Sequence, residues 1–194
     1  MRAFTLLLLG LSLASQPAAV RPAARHPASV QKVLALFADL KQAKASKKKV
    51  RFQLTESEVN EYLFYTTRAN PRPGLHRMRV KLYPGNYIST FSIIDFDAVE
   101  RAAPGTIPPL LRPILSGRRE VAIDLRLHTN NGHGTASIEK AYFESVRVPA
   151  RVMEKVINSI GSTETEEVDL SQPAPLPFGL REVRTGARLL EGEN

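Results

Sequence analysis

The segment Arg119–Val148, REVAIDLRLHTNNGHGTASIEKAYFESVRV, decides the fold. Val121, Ile123, Leu125 and Leu127 fall on one side of an extended chain, and Glu120, Asp124, Arg126 and His128 on the other. That period of two is the signature of a half-buried antiparallel strand. Thr129-Asn130-Asn131-Gly132-His133-Gly134 then reverses the chain, because Asn and Gly tolerate the positive φ angles of a tight turn. The returning run, Thr135 to Phe143, loses its alternation between Ile138 and Ala141, which predicts a bulge. The segment is therefore a β-hairpin, and it carries almost no chemistry of its own.

The chain begins Met1-Arg2-Ala3-Phe4, follows with an apolar run from Thr5 to Leu13, and reaches small residues at Ser12-Leu13-Ala14. This pattern predicts a secretory leader over residues 1–15. The apolar run falls short of the roughly 20 residues a membrane span needs. No cysteine occurs anywhere, so an exported chain would rely on packing and hydrogen bonds rather than disulfides. Thiol catalysis and cysteine-bound metal are excluded for the same reason. A net charge of +8 and a pI near 10.0 point to polyanionic partners or simply to solubility. Export favours anionic phospholipid, or another polyanion of the cell envelope, over nucleic acid. The expected location is the periplasm or the extracellular space.

Residues 16–27, rich in Ala and Pro, read as a tether, residues 28–190 as one α+β domain, and residues 191–194 as a tail. In the domain, Val30, Val33, Leu34, Phe37 and Leu40 lie at helical spacing. The helix ends in a basic run containing Lys44, Lys47, Lys48 and Lys49, followed by Arg51 in a short strand. Those cations either suit the helix dipole or meet an anionic surface. Thr55-Glu56-Ser57-Glu58 fits a capping box for a second helix, in which Asn60 is a poor helix former. Two strands follow. The first alternates Met78, Val80 and Leu82 with Arg77, Arg79, Lys81 and Tyr83. The second, Tyr87 to Phe96, is apolar on both faces: Tyr87, Phe91 and Ile93 on one, Ile88, Ile94 and Phe96 on the other. Such a strand is central and covered twice, or lines a cavity. Residues 102–117 interleave Ile107, Leu110, Leu111, Ile114 and Leu115 with four prolines, so short turns laid over the sheet are expected, as a core plug or as a lid. After the hairpin, Pro149 opens a helix striped by Val152, Met153, Val156, Ile157 and Ile160, with Gly161 at its end. Residues 162–169 read as a linker, 172–179 as extended, and Leu180 to Leu190 as a last strand.

Catalytic signatures are absent from the sequence: there is no nucleophile elbow, zinc-protease helix or phosphate-binding glycine loop. His128 and His133 bracket the turn but form too small a set for a metal. Asp95 and Asp97 flank Phe96 at a strand end, a place for paired carboxylates or, more plainly, for turn formers. Nucleic-acid binding would need aromatics interleaved with the lysine run at 47–49, where only Phe52 is near. No metal, cofactor or nucleic-acid partner is expected.

The order of elements, with Leu54-Thr55-Glu56-Ser57-Glu58-Val59-Asn60 opening a helix and Leu176-Pro177-Phe178-Gly179-Leu180 near the end, resembles the small single-module envelope proteins of the tubular lipid-binding (TULIP) type, the LmeA-like and YceB-like proteins. The resemblance spans most of residues 50–190. It implies a twisted antiparallel sheet wrapped around one or two amphipathic helices, with an aliphatic groove for acyl chains. The N-terminal helix is an addition to that pattern. The expected groove and lid residues are Tyr87, Phe91, Ile93, Ile107, Leu110, Leu111, Ile114, Val152, Val156 and Ile160. Lys44, Lys47, Lys48, Lys49 and Arg51 would contact an anionic surface. The expected function is non-catalytic binding of a lipid or other hydrophobe. An envelope scaffold with a filled core, or a lipid hydrolase using Asp95, Asp97 or His128, would be the alternatives.

Overall fold

A computed structural model describes residues 26–46, 48–102, 104–105, 107, 109–161, 170 and 172–194. The expected leader, nearly all of the tether, Lys47 and the linker at 162–169 lie outside the described residues, as do the side chains of Leu110, Val156 and Ile160. The architecture is α+β, with an open antiparallel sheet and a few helices. Helix α1 (Ala28–Ser46) leads to strand β1 (Arg51–Thr55), helix α2 (Glu56–Ala69), strands β2 (Leu75–Tyr83) and β3 (Tyr87–Asp95), and helix α3 (Phe96–Ala102). Strands β4 (Arg118–Asn130), β5 (His133–Phe143) and β6 (Val146–Val148) precede helix α4 (Ala150–Gly161), and strands β7 (Ala174–Pro175), β8 (Glu182–Gly186) and β9 (Leu189–Glu193) complete the chain.

The large sheet runs β2-β3-β4-β5-β6, with β7 also paired to β5. The hairpin of β4 and β5 forms as its sequence requires. Asn131 and Gly132 take φ of 47° and 80° between the paired Asn130 and His133, the two-residue loop whose twist suits a hairpin. The bulge is also present: Asp124 faces Lys140 and Leu125 faces Ile138, leaving Glu139 unmatched.

A second sheet, β1-β9-β8, was not anticipated. The expected last strand, 180–190, is instead a hairpin that turns at Arg188, with φ of 61°, and the expected tail supplies Glu191–Glu193 to β9. The expected extended run 172–179 closes in a 3-10 turn at Pro177–Gly179. There Phe178 stacks on Phe37 of α1 at 5.1 Å, and the Lys41 ammonium lies 5.9 Å from the same ring.

Helix α2 explains the residue that looked misplaced. Thr55 and Glu58 make the capping box: the Glu58 amide donates to Thr55 Oγ1 and the Thr55 amide to Glu58 Oε2. Asn60 then turns its amide to the edge of β2. Its Nδ2 donates to the Val80 carbonyl at 2.8 Å, and its Oδ1 accepts from the Val80 amide at 2.7 Å. Glu56 Oε2 accepts from the Leu82 amide at 2.8 Å, and the Arg188 amide donates to the Leu82 carbonyl. Side chains thus satisfy backbone groups that an edge strand would otherwise expose.

Two hydrophobic clusters lie on the inner face of the large sheet. The first joins Val30, Val33, Phe37 and Leu40 of α1, Tyr62 and Leu63 of α2, and Val80, Leu82, Ile88 and Leu127 of the sheet. The second joins Phe96, Ile107, Leu115, Val121, Ala141, Phe143 and Met153.

Asn60→Ala discriminates between helix propensity and edge closure. Alanine is the better helix former by several tenths of a kcal/mol, yet it strands the Val80 amide and carbonyl. Urea unfolding is expected to show a loss of about 1–3 kcal/mol; a gain in stability would show that the clasp is dispensable.

Candidate functional site

The large sheet separates the expected groove residues. On β3, Ile88 and Ile94 point into the two clusters. Tyr87, Phe91 and Ile93, one residue out of phase, belong to the opposite, outer face. Ile107 and Leu115 are buried to 4% and 3% exposure in the second cluster, and Leu111 packs beside them. Tyr87, Phe91 and Ile93 therefore cannot share a groove with Ile107, Leu111 and Val152. The alternation within one strand put them on different sides, and the expectation of a single ten-residue lining is corrected. Ile114, 55% exposed, sits at the rim.

The proline-broken segment is held by carboxylates rather than left loose. From α3, Glu100 accepts the amides of Gly105 and Ile107 at 3.0 and 2.9 Å and the Arg112 guanidinium at 2.9 Å. Asp97 accepts the Gly117 amide at 3.0 Å. These bonds, with two buried aliphatics, seat the described part of the segment as a plug against α3 and the second cluster. The backbone bonds from Gly105 and Ile107 hold the Glu100 carboxyl below its usual 4.5.

On the inner face the two clusters do not merge. A single domain ordinarily has one contiguous core. Here Thr90 and Ser92 of β3 lie between them beside Leu125; Thr90 and Leu125 are buried, while Ile123 and Ile138, at the margin of the second cluster, are only half-buried. Ile94, Leu111, Val148 and Ile157 flank the same strip, packed on the second cluster but not sealed. These half-buried side chains outline an aliphatic margin, a seam between α3, the plug and α4 on one side and α1 and α2 on the other, which Leu125 and Thr90 floor.

The outer face has a different chemistry. Arg77, Arg79 and Lys81 form a row along β2, all exposed. Arg79 and Lys81 lie 5.0 and 5.7 Å from the centroid of the Phe91 ring, and Arg126 lies 5.8 Å from that of Tyr87. Ser89 Oγ donates to Asp124 at 2.5 Å, and Arg126 pairs with Glu139 at 3.4 Å. Burial and the nearby Asp124 carboxylate push the Tyr87 phenol up to about 12, so it stays protonated at neutral pH. Its sequence signal was the alternation Arg-x-Arg-x-Lys-x-Tyr opposite Met78, Val80 and Leu82, which was read for strand geometry and not for charge.

The remaining candidates take structural roles. Asp95 Oδ1 accepts the Ala98 amide at 2.9 Å and so starts α3, a helix that begins where the strand was expected to reach Phe96. That bond holds its carboxyl below the usual range. His128 pairs across the hairpin with Thr135, and His133 with Asn130. Among the described residues no group of three or more His, Asp or Glu side chains could hold a metal. The Lys44 stem packs on Gly179, and Arg51 pairs with Glu193 at 2.9 Å. Arg51 also lines a concavity of about 690 Å3 on the small sheet, with Arg184, Glu182, Glu191 and Glu193. Its carboxylates outnumber its guanidiniums, so Arg51 is poorly placed to hold an anion.

Comparison with protein-family models finds no match to this chain, and no curated protein matches it.

The plug depends on an ionised Glu100. Its depressed pKa means that its contribution is full above the ordinary glutamate range and is lost as pH falls through the folded-state value. Hydrogen exchange, expressed as protection over the intrinsic rate, is expected to fall at Gly105 and Ile107 in Glu100→Gln and, in the native chain, on acidification below the ordinary glutamate range. Equal protection in the variant would show that packing alone holds the segment.

Proposed function

We propose that the protein is an exported, non-catalytic lipid-binding module of the cell envelope, of the TULIP type, which lays an acyl chain in the seam on the inner face of its sheet. The observation that carries this reading is the division of the core into two clusters, with half-buried Leu111, Ile123, Ile138 and Ile157 at the margin of the second. Each methylene placed in such a strip contributes about 0.8 kcal/mol, so no specific polar group is needed. Asp95, Asp97 and Glu100 each commit a carboxylate oxygen to backbone hydrogen bonds, which gives them structural work in this reading. The plug and α4 bound the seam, so Leu111, Val152 and Ile157 are retained from the expected and neighbouring positions, while Tyr87, Phe91 and Ile93 are not.

Protein purified without detergent is expected to carry phospholipid or fatty acid detectable by mass spectrometry and, once delipidated, to take up a fluorescent long-chain fatty acid. Leu111→Glu, at the half-buried rim, should weaken uptake by tenfold or more while leaving the unfolding transition cooperative. A lipid-free preparation that also fails to take up the probe would favour a scaffold whose core is complete without ligand.

A further inference from the structure

The acyl seam leaves the opposite face of the sheet without a task, and that face is where the net positive charge becomes organised. Successive outward residues of a strand stand about 7 Å apart, so Arg77, Arg79 and Lys81 form a regular cationic row. Lys140 of β5 and Arg147 of β6, both exposed, continue the charge across the sheet. Of the acids of this face, Glu120 stands exposed opposite Ile93, and the other three are engaged. Asp124 is bonded to Ser89, Glu139 is paired with Arg126, and Asp95 caps α3. Among the described residues, none of the ion pairs involves Arg77, Arg79, Lys81, Lys140 or Arg147.

The aromatic rings determine what kind of polyanion fits. Base stacking on single-stranded nucleic acid needs open ring faces. The Phe91 ring is instead flanked by Arg79 and Lys81, and the Tyr87 ring by Arg126. The charged heads themselves lie over the rings, a cation–π arrangement that occupies the ring faces. Tyr83, 40% exposed and edge-on to Tyr87 at 5.9 Å, adds the amphipathic ring that suits a membrane–water interface.

We propose that the outer face of the large sheet, centred on Arg77, Arg79 and Lys81, docks the protein onto the surface of an anionic phospholipid bilayer. The seam then faces away from the contact plane, so docking and acyl binding are separate properties.

Co-sedimentation of the full chain with vesicles tests this. Binding is expected with phosphatidylglycerol–phosphatidylcholine vesicles, to disappear with pure phosphatidylcholine, and to be released by high salt. The triple variant R77Q/R79Q/K81Q should lose on the order of 100-fold in affinity, since each cation near an anionic membrane is worth about 1 kcal/mol. The same variant should unfold at the native urea midpoint and take up fluorescent fatty acid unchanged, which separates this proposal from the acyl-binding one. K48Q/K49Q, in the basic run after α1, should bind vesicles normally. Equal binding to pure phosphatidylcholine, an unaffected triple variant, or equal loss in K48Q/K49Q would overturn the proposal. So would an oligothymidylate that binds in place of vesicles with the same dependence on the three cations.

Discussion

The contact of Asn60 and Glu56 with the outer edge of β2 is the constraint from which the rest of the arrangement follows. An edge strand offers unpaired amides and carbonyls, and in this chain two side chains of a single helical turn satisfy them at Val80 and Leu82. The helix is therefore fixed in register with the strand, not merely laid against it. Because Val80 and Leu82 also point into the first cluster, the same contact selects which face of the sheet is inner. The opposite residues, Arg77, Arg79 and Lys81, are then committed to the outer face. The small sheet attaches by the same device: Thr129 Oγ1 donates to the Val183 carbonyl and accepts its amide, and Asn86 Oδ1 accepts the Thr185 amide.

A sheet with one face assigned in this way has a length problem. Strands β4 and β5 run 13 and 11 residues, longer than one pair of helices covers. Helices α1 and α2 cover the end near the hairpin turn, and α3, the plug and α4 cover the far end. Thr90, Ser92 and the buried Leu125 mark the strip between them, where the two clusters stop short of joining. The half-buried isoleucines on either side forgo part of the 1.5–3 kcal/mol that each would contribute when fully buried, by the usual rough scale. An acyl chain laid along the strip would recover that contribution.

Much of this was legible in the residues, and the misses share causes. Alternation and turn chemistry placed the hairpin, down to the bulge at Glu139, because both are local. The capping box was equally local. Asn60 was visible as an anomaly, but its purpose depends on Val80, twenty residues away, and no local rule supplies that. Helix α3 was hidden because Phe96 continues the apolar pattern of β3, while its start is set by the Asp95 side chain bonding three residues ahead. The final hairpin was read as one strand because Arg188 is an unusual residue for a positive φ. The proposed lining failed for a geometric reason: alternation separated Tyr87, Phe91 and Ile93 from Ile88 and Ile94 but did not say that the plug and α4 cover the second set. The cationic row was in plain sight, but strand alternation alone does not say that the outward side is left uncovered.

The central claim is that grease lies on one side of the sheet and charge on the other, with a ligand only where the core divides. Solution NMR with a doxyl-labelled fatty acid measures this most directly. The account predicts paramagnetic broadening at Leu111, Ile123, Ile138 and Ile157, with Tyr87, Phe91 and the Arg77–Lys81 row unaffected. Broadening centred on Tyr87 and Phe91, or none at any residue, would contradict it.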